Sequence, residues 1–179
     1  MTVMARPPAE HVVSRAVATM RTEVGGVADS SLWAMSPAEA AATLIEVTRL
    51  SAQVAELALR VAAHAETVQV GDATGAVATG AWWAHQTQQT RLAAARSMHL
   101  AVALAGPRQR VRAALAAGEL NLDQGEVIVQ ALAALPGVVT DEVLTRVEAH
   151  LITQAAQYDA KALRVLGRRA LEVIAPEVG

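Results

Sequence analysis

Apolar positions along this chain recur in threes and fours and almost nowhere in alternation. Val47, Leu50, Val54, Leu57 and Val61 follow that spacing, which gathers them into one stripe on a helix, the seam by which a helix packs along another. The pattern runs unbroken over residues 37–70 and predicts one helix of about 50 Å at 1.5 Å per residue. The stripe serves either packing within the chain or a dimer, and His64 lies on it as well.

Start and stop signals divide the rest. Ser36-Pro37-Ala38-Glu39 combines an N-cap serine, a proline at the first helical position and a glutamate that reaches back as a capping box. A short amphipathic helix is expected over 9–21, ahead of Gly25-Gly26. Thr79 is the candidate cap of a helix over 80–86, and Thr90 of one running to 105, where Gly106-Pro107 stops it. A helix over 108–117 is closed by Gly118, and Asn121 with Gln124 opens another to 134. Thr140 and Asp159 cap the last two, to 158 and 174. The expectation is an all-α fold of seven to eight helices, with one long helix and a helix-turn-helix-like core. Residues 1–35 would form an N-terminal helix and linker and 36–179 a helical domain, with only residues 68–77 open to a few extended positions.

Composition agrees with this reading. Of 179 residues 41 are alanine, the best helix former, and 2% are aromatic. With no cysteine, disulfides, thiolate zinc sites, iron–sulfur clusters and cysteine nucleophiles are excluded. No window is apolar enough to span a bilayer, and the N-terminal residues lack the apolar run of a signal peptide. A cytoplasmic protein, without contact to a membrane, is expected.

Charge changes the picture once it is located. The formal net charge is −2, which speaks against a uniformly basic nucleic-acid binder. Between Asp72 and Glu119, however, no acid occurs, and Arg91, Arg96, Arg108, Arg110 and Arg112 all fall there. The same stretch holds two short helices joined at Thr87-Gln88-Gln89, the spacing of a helix-turn-helix within a region covering 79–134. Arg96 points opposite Met98 on a helical wheel, so a buried Met98 would place Arg96 outside. Double-stranded DNA is therefore the expected partner. Gln88 and Gln89 would bond its bases or phosphates, Arg91 and Arg96 would bind phosphates, and Thr90, Ser97 and His99 would orient the second helix. Arg108, Arg110 and Arg112 would add phosphate contacts, although Arg110 lies about 160° from its two neighbours on a helix. Five neutralised phosphates would give a salt slope of about −4 to −5. Trp82 and Trp83 are about 100° apart, and Trp82 is expected to be the one facing the core.

GAWWAHQTQQTRLAAARSMHLAVAL, PRQRVRAALAAGELNLDQGEVIVQALAALP and YDAKALRVLGRRALEVIAPEVG resemble successive blocks of the actinobacterial domain of unknown function 222. That family forms the N-terminal domain of HNH-endonuclease-type proteins. The resemblance covers roughly residues 36–179. In the first block Ala81, Trp82, Ala84, Thr87, Ala95 and Arg96 match, while Gln88-Gln89 replace a Gly-Leu pair and Ala93 an acid. In the second block Ala113, Leu115, Gly118, Leu120, Leu122, Gln124, Val127 and Leu132 match. The resemblance implies an all-α domain that targets DNA or acts as a scaffold for a nuclease, or a regulatory or dimerisation module in such a protein. An HNH site needs paired histidines, often beside zinc-binding cysteines. His11, His64, His85, His99 and His150 are scattered singly, so no catalysis, metal or cofactor is expected of these residues. The family's nuclease part follows such an ending, which implies a shortened family member or a stand-alone accessory domain.

Overall fold

The computed structural model describes residues 10–174, with side chains as far as residue 170. Among them are nine helices and no strand. The chain divides into two compact units, Met1–Ala41 and Ala42–Gly179.

In the first unit, α1 (Val12–Gly26) carries no buried residue and is capped by His11, whose Nδ1 accepts from the Val13 amide at 3.2 Å. It begins and ends later than the pattern predicts, running on through Gly25-Gly26. At the start of α2 (Pro37–Thr67) the expected capping box is present. The Glu39 amide donates to Ser36 Oγ at 3.2 Å, and the Ser36 amide and hydroxyl both donate to Glu39 Oε2 at 2.9 Å. The Ser36 amide, followed by the Ser36 hydroxyl, holds the Glu39 carboxyl below its ordinary range.

The second unit is built around α7 (Leu122–Ala133), which buries Gln124, Gly125, Val127, Ile128, Val129 and Leu132. It packs against α5 (Arg91–Ala105), α6 (Gln109–Ala117), α8 (Asp141–Gln154) and α9 (Ala160–Ile174). Leu59 and Ala62 of α2 join the same core. Three of the expected caps are formed: Thr90 Oγ accepts from Ala93, Asn121 and Gln124 close a reciprocal box, and Asp159 Oδ1 accepts from Ala162. Gly118 ends α6 with φ +72°, and the Glu119 amide closes back onto the Ala114 carbonyl at 2.9 Å.

Four expectations are corrected. Residues 70–73 form a short helix, α3 (Val70–Ala73), in place of an extended stretch. Thr79 does not cap α4 (Thr79–Thr87). Ala78 holds the cap position, while Thr79 is buried with its Oγ 3.4 Å from the Gly71 amide it accepts from. Gly71 has no room for a Cβ there, since one would meet the backbone of Ala78 and Thr79 at 2.6 Å. In addition, α8 stops at Gln154 and residues 155–157 turn. Gln124 Nε2 donates to the carbonyl of Ala155 in that turn and to the carbonyl of Tyr158 just after it, at 2.9 Å each. Of the two tryptophans, Trp83 is the one that packs against the core cluster.

Candidate nucleic-acid interface

The α4–α5 pair has helix-turn-helix form. Small residues let the helices approach: Ala84 and Ala94 are buried, and Gly80 lies where an added Cβ would stand 3.1 Å from Met98 Cγ. The turn depends on Gln88, which adopts the left-handed conformation (φ 57°, ψ 29°) that favours glycine at a helix end. Two bonds hold it there: the Gln89 amide donates to the Ala84 carbonyl at 3.0 Å, and Gln88 Nε2 donates to the His85 carbonyl at 2.8 Å. Thr90 then caps α5.

On α5 the buried residues Ala94, Leu100, Ala101 and Leu104 define the inner face. Arg91, Arg96 and His99 are exposed and fall within about 140° of one another on the outer face. Met98 is half-buried against the core, so Arg96 stands outside as its wheel position predicts. Gln88, Gln89 and Thr90 are exposed at the turn, next to Arg91. Ser97 is not part of this surface. It is half-buried, about 100° beyond Arg96 and towards the inner face.

The arginines of α6 do not act together. Arg110 is exposed and Arg108 half-buried at the N-cap position. Arg112 turns inward: its NH1 lies 3.6 Å from Oε1 of Glu56, a carboxylate only 3% exposed, and its Nε donates to Gln109 at 2.9 Å. Glu56 also has Arg60 Nε at 3.6 Å. Both separations exceed a hydrogen bond, and Oε1 has no hydrogen-bond partner. Arg112 is thus held by a buried acid from α2, and its charge is not free for phosphate. A second acid reaches the basic stretch in space: Glu66 lines a cleft with Ala81, Arg91, Met98, His99 and Val102. Neither acid is visible in a charge count over residues 73–118, because both come from α2. Helical spacing on α2 carries a signal for Glu56, since it shares a face with Ala52, Leu59 and Ala62.

That face also answers where the α2 seam points. The buried residues of α2 are centred about 155° from the stripe of Val47, Leu50, Val54 and Val61, which are exposed, with Leu57 half-buried and Ala62 nearest the stripe, about 100° from Val61. The stripe predicted as a packing seam therefore has no partner within the described part of its own unit. His64 is exposed as well.

No family model, curated protein or solved structure matches the chain. Among the described residues no helix is long and apolar enough to cross a membrane. Among them, too, no three His, Asp or Glu side chains gather as a metal site.

Proposed function

We propose that the Ala42–Gly179 unit binds duplex DNA through α4 and α5, without catalysis of its own. The observation that carries this reading is the outer face of α5. Arg91, Arg96 and His99 share that face, behind a tight left-handed turn with Gln88, Gln89 and Thr90 exposed beside it. In such a pair the N-terminal residues of the second helix read base edges and the arginines anchor phosphates. Arg110 is the best placed of the α6 arginines to add a phosphate contact, and Arg112 the worst. The sequence blocks that resemble domain of unknown function 222 support the narrower proposal that this is the DNA-targeting domain of an HNH-endonuclease-type protein, working in the cytoplasm.

Fluorescence anisotropy with a labelled duplex tests this across a salt series. For each copy of the chain on the duplex, three phosphates neutralised by Arg91, Arg96 and Arg110 give a slope of log K against log salt of about −3. Arg91→Ala and Arg96→Ala should each reduce it by about 1, whereas Arg112→Ala should leave it unchanged. No binding at low salt, or a slope near zero, defeats the proposal.

A second reading is favoured by a separate observation, the exposed stripe on α2. We infer that it is an association surface, taken by a second copy of the chain.

A further inference from the structure

The stripe on α2 also carries a register for that association, an inference that rests on the self-association reading. In heptad terms Val47, Val54 and Val61 occupy a positions, and Thr43, Leu50, Leu57 and His64 occupy d. The core-facing Ala52, Glu56, Leu59 and Ala62 fall at f, c, f and b. Folding thus uses mainly the side of the helix away from the stripe and covers only Leu57 of the stripe in part. Folding leaves Val47 55%, Leu50 46%, Val54 43% and Val61 47% exposed. A regular a/d stripe is what a second helix needs, since each knob then finds a hole of four residues.

The flanking positions choose the orientation. Along α2 the e positions are Pro37, Leu44, Ser51, Ala58 and Ala65, and the g positions are Glu39, Glu46, Gln53, Arg60 and Thr67. All the flanking charge is at g. In a parallel pair g faces e of the other helix, so no ion pair forms between flanks. In an antiparallel pair g faces g, and opposite charges can meet.

We propose that two copies pair through α2 as an antiparallel seam in one register. Val47 lies opposite Leu57 of the second copy, Leu50 opposite Val54, and Thr43 opposite Val61. This register sets Glu46 opposite Arg60 of the second copy, twice by symmetry, and places Gln53, whose Nε2 donates to the Ala116 carbonyl of its own chain at 3.1 Å, beside the two-fold axis. The groove that receives the second helix supports the same placement. It is lined by Thr43, Val47, Leu50 and Gln53 on one side and by residues 117–119 on the other. Its two acids, Glu46 and Glu119, outnumber its one cation, Arg49, and so complement the incoming Arg60. Arg60 is available, with its side chain 54% exposed despite its contact to Glu56. Glu46 pairs with Arg49 at 2.6 Å on an open surface, where a second cation can join.

A seam this short stands at the weak end of stable interfaces, so the test runs over a wide concentration range. Sedimentation equilibrium of the whole chain should show a monomer–dimer equilibrium. Val54→Glu, which places a charge in an exposed layer and leaves the core untouched, should sediment at the 18.6 kDa chain mass. Glu46→Arg should weaken association roughly tenfold by turning two attractions into repulsions. Because the chain has no cysteine, a nitroxide attached through His64→Cys reports orientation directly. The antiparallel register puts the two labels about 36 Å apart along the axis, and a parallel pair about 10 Å apart. A monomer at every concentration overturns both the register and the self-association reading. A dimer with the short distance, or one indifferent to Glu46→Arg, overturns the register alone.

Discussion

Gln124 has more structural roles than any other polar side chain described. Its Oε1 accepts from the Asn121 amide at 3.0 Å and completes the cap of α7, while its Nε2 donates to two carbonyls past the end of α8. The capping box was legible from Asn121 and Gln124 three apart. The donor role was not, because the carbonyls it satisfies lie more than thirty residues away in sequence. Gln124→Ala should cost about 2–4 kcal/mol in urea unfolding, since it leaves one buried and one part-buried carbonyl unpaired as well as an open cap. Gln124→Glu separates the two roles, because it keeps the cap acceptor but loses both donors. It should be nearly as destabilising as alanine, and a Glu variant as stable as the parent would assign the whole effect to the cap. Arg112 shows the same limit for charge. Its type and spacing suit a phosphate ligand, but a buried carboxylate on a distant helix holds it.

Elements were legible wherever their ends are written locally. Ser36-Glu39, Thr90, Gly118, Asn121 and Asp159 mark helix termini through side chains or backbone freedom that need no tertiary partner. Boundaries drifted where tertiary contact decides them. Thr79 is a good cap by type, yet the close approach of Gly71 to α4 buries it. The α7–α9 contact is another case, readable only in three dimensions: a Cβ on Gly167 would stand 2.6 Å from Ala131 Cβ. A methyl bonded to the backbone cannot rotate away, so Gly167→Ala must push α9 off α7. The expected cost is about 1–3 kcal/mol of overpacking, against a change within about 0.5 kcal/mol for Gly137→Ala, where nothing lies within 4 Å. Equal melting temperatures for the two variants would mean that α9 moves freely on the core. The turn before α5 adds a positive case: Gln88 holds a conformation suited to glycine because two hydrogen bonds fix it. A turn without glycine is thereby kept tight.

At the scale of the molecule, the proposed DNA surface and the proposed seam make a joint demand on one measurement. The exposed basic face belongs to α5 and the apolar stripe to α2, so a substitution on the stripe leaves the DNA-facing side chains in place. If a dimer sets both α5 helices on one duplex, it releases twice the counterions of a monomer. Its slope of log K against log salt is then about −6, where a single copy gives about −3. Val54→Glu should therefore halve the slope and lower the affinity at a given salt, because the second contact no longer benefits from being tethered. Arg96→Ala in the dimer should remove about 2 from the slope and in the Val54→Glu monomer about 1. A slope that is the same in parent and Val54→Glu means the two copies engage separate duplexes, and association then serves a purpose other than affinity. A Val54→Glu chain that still binds with slope about −3 leaves the α5 surface as the DNA contact in its own right.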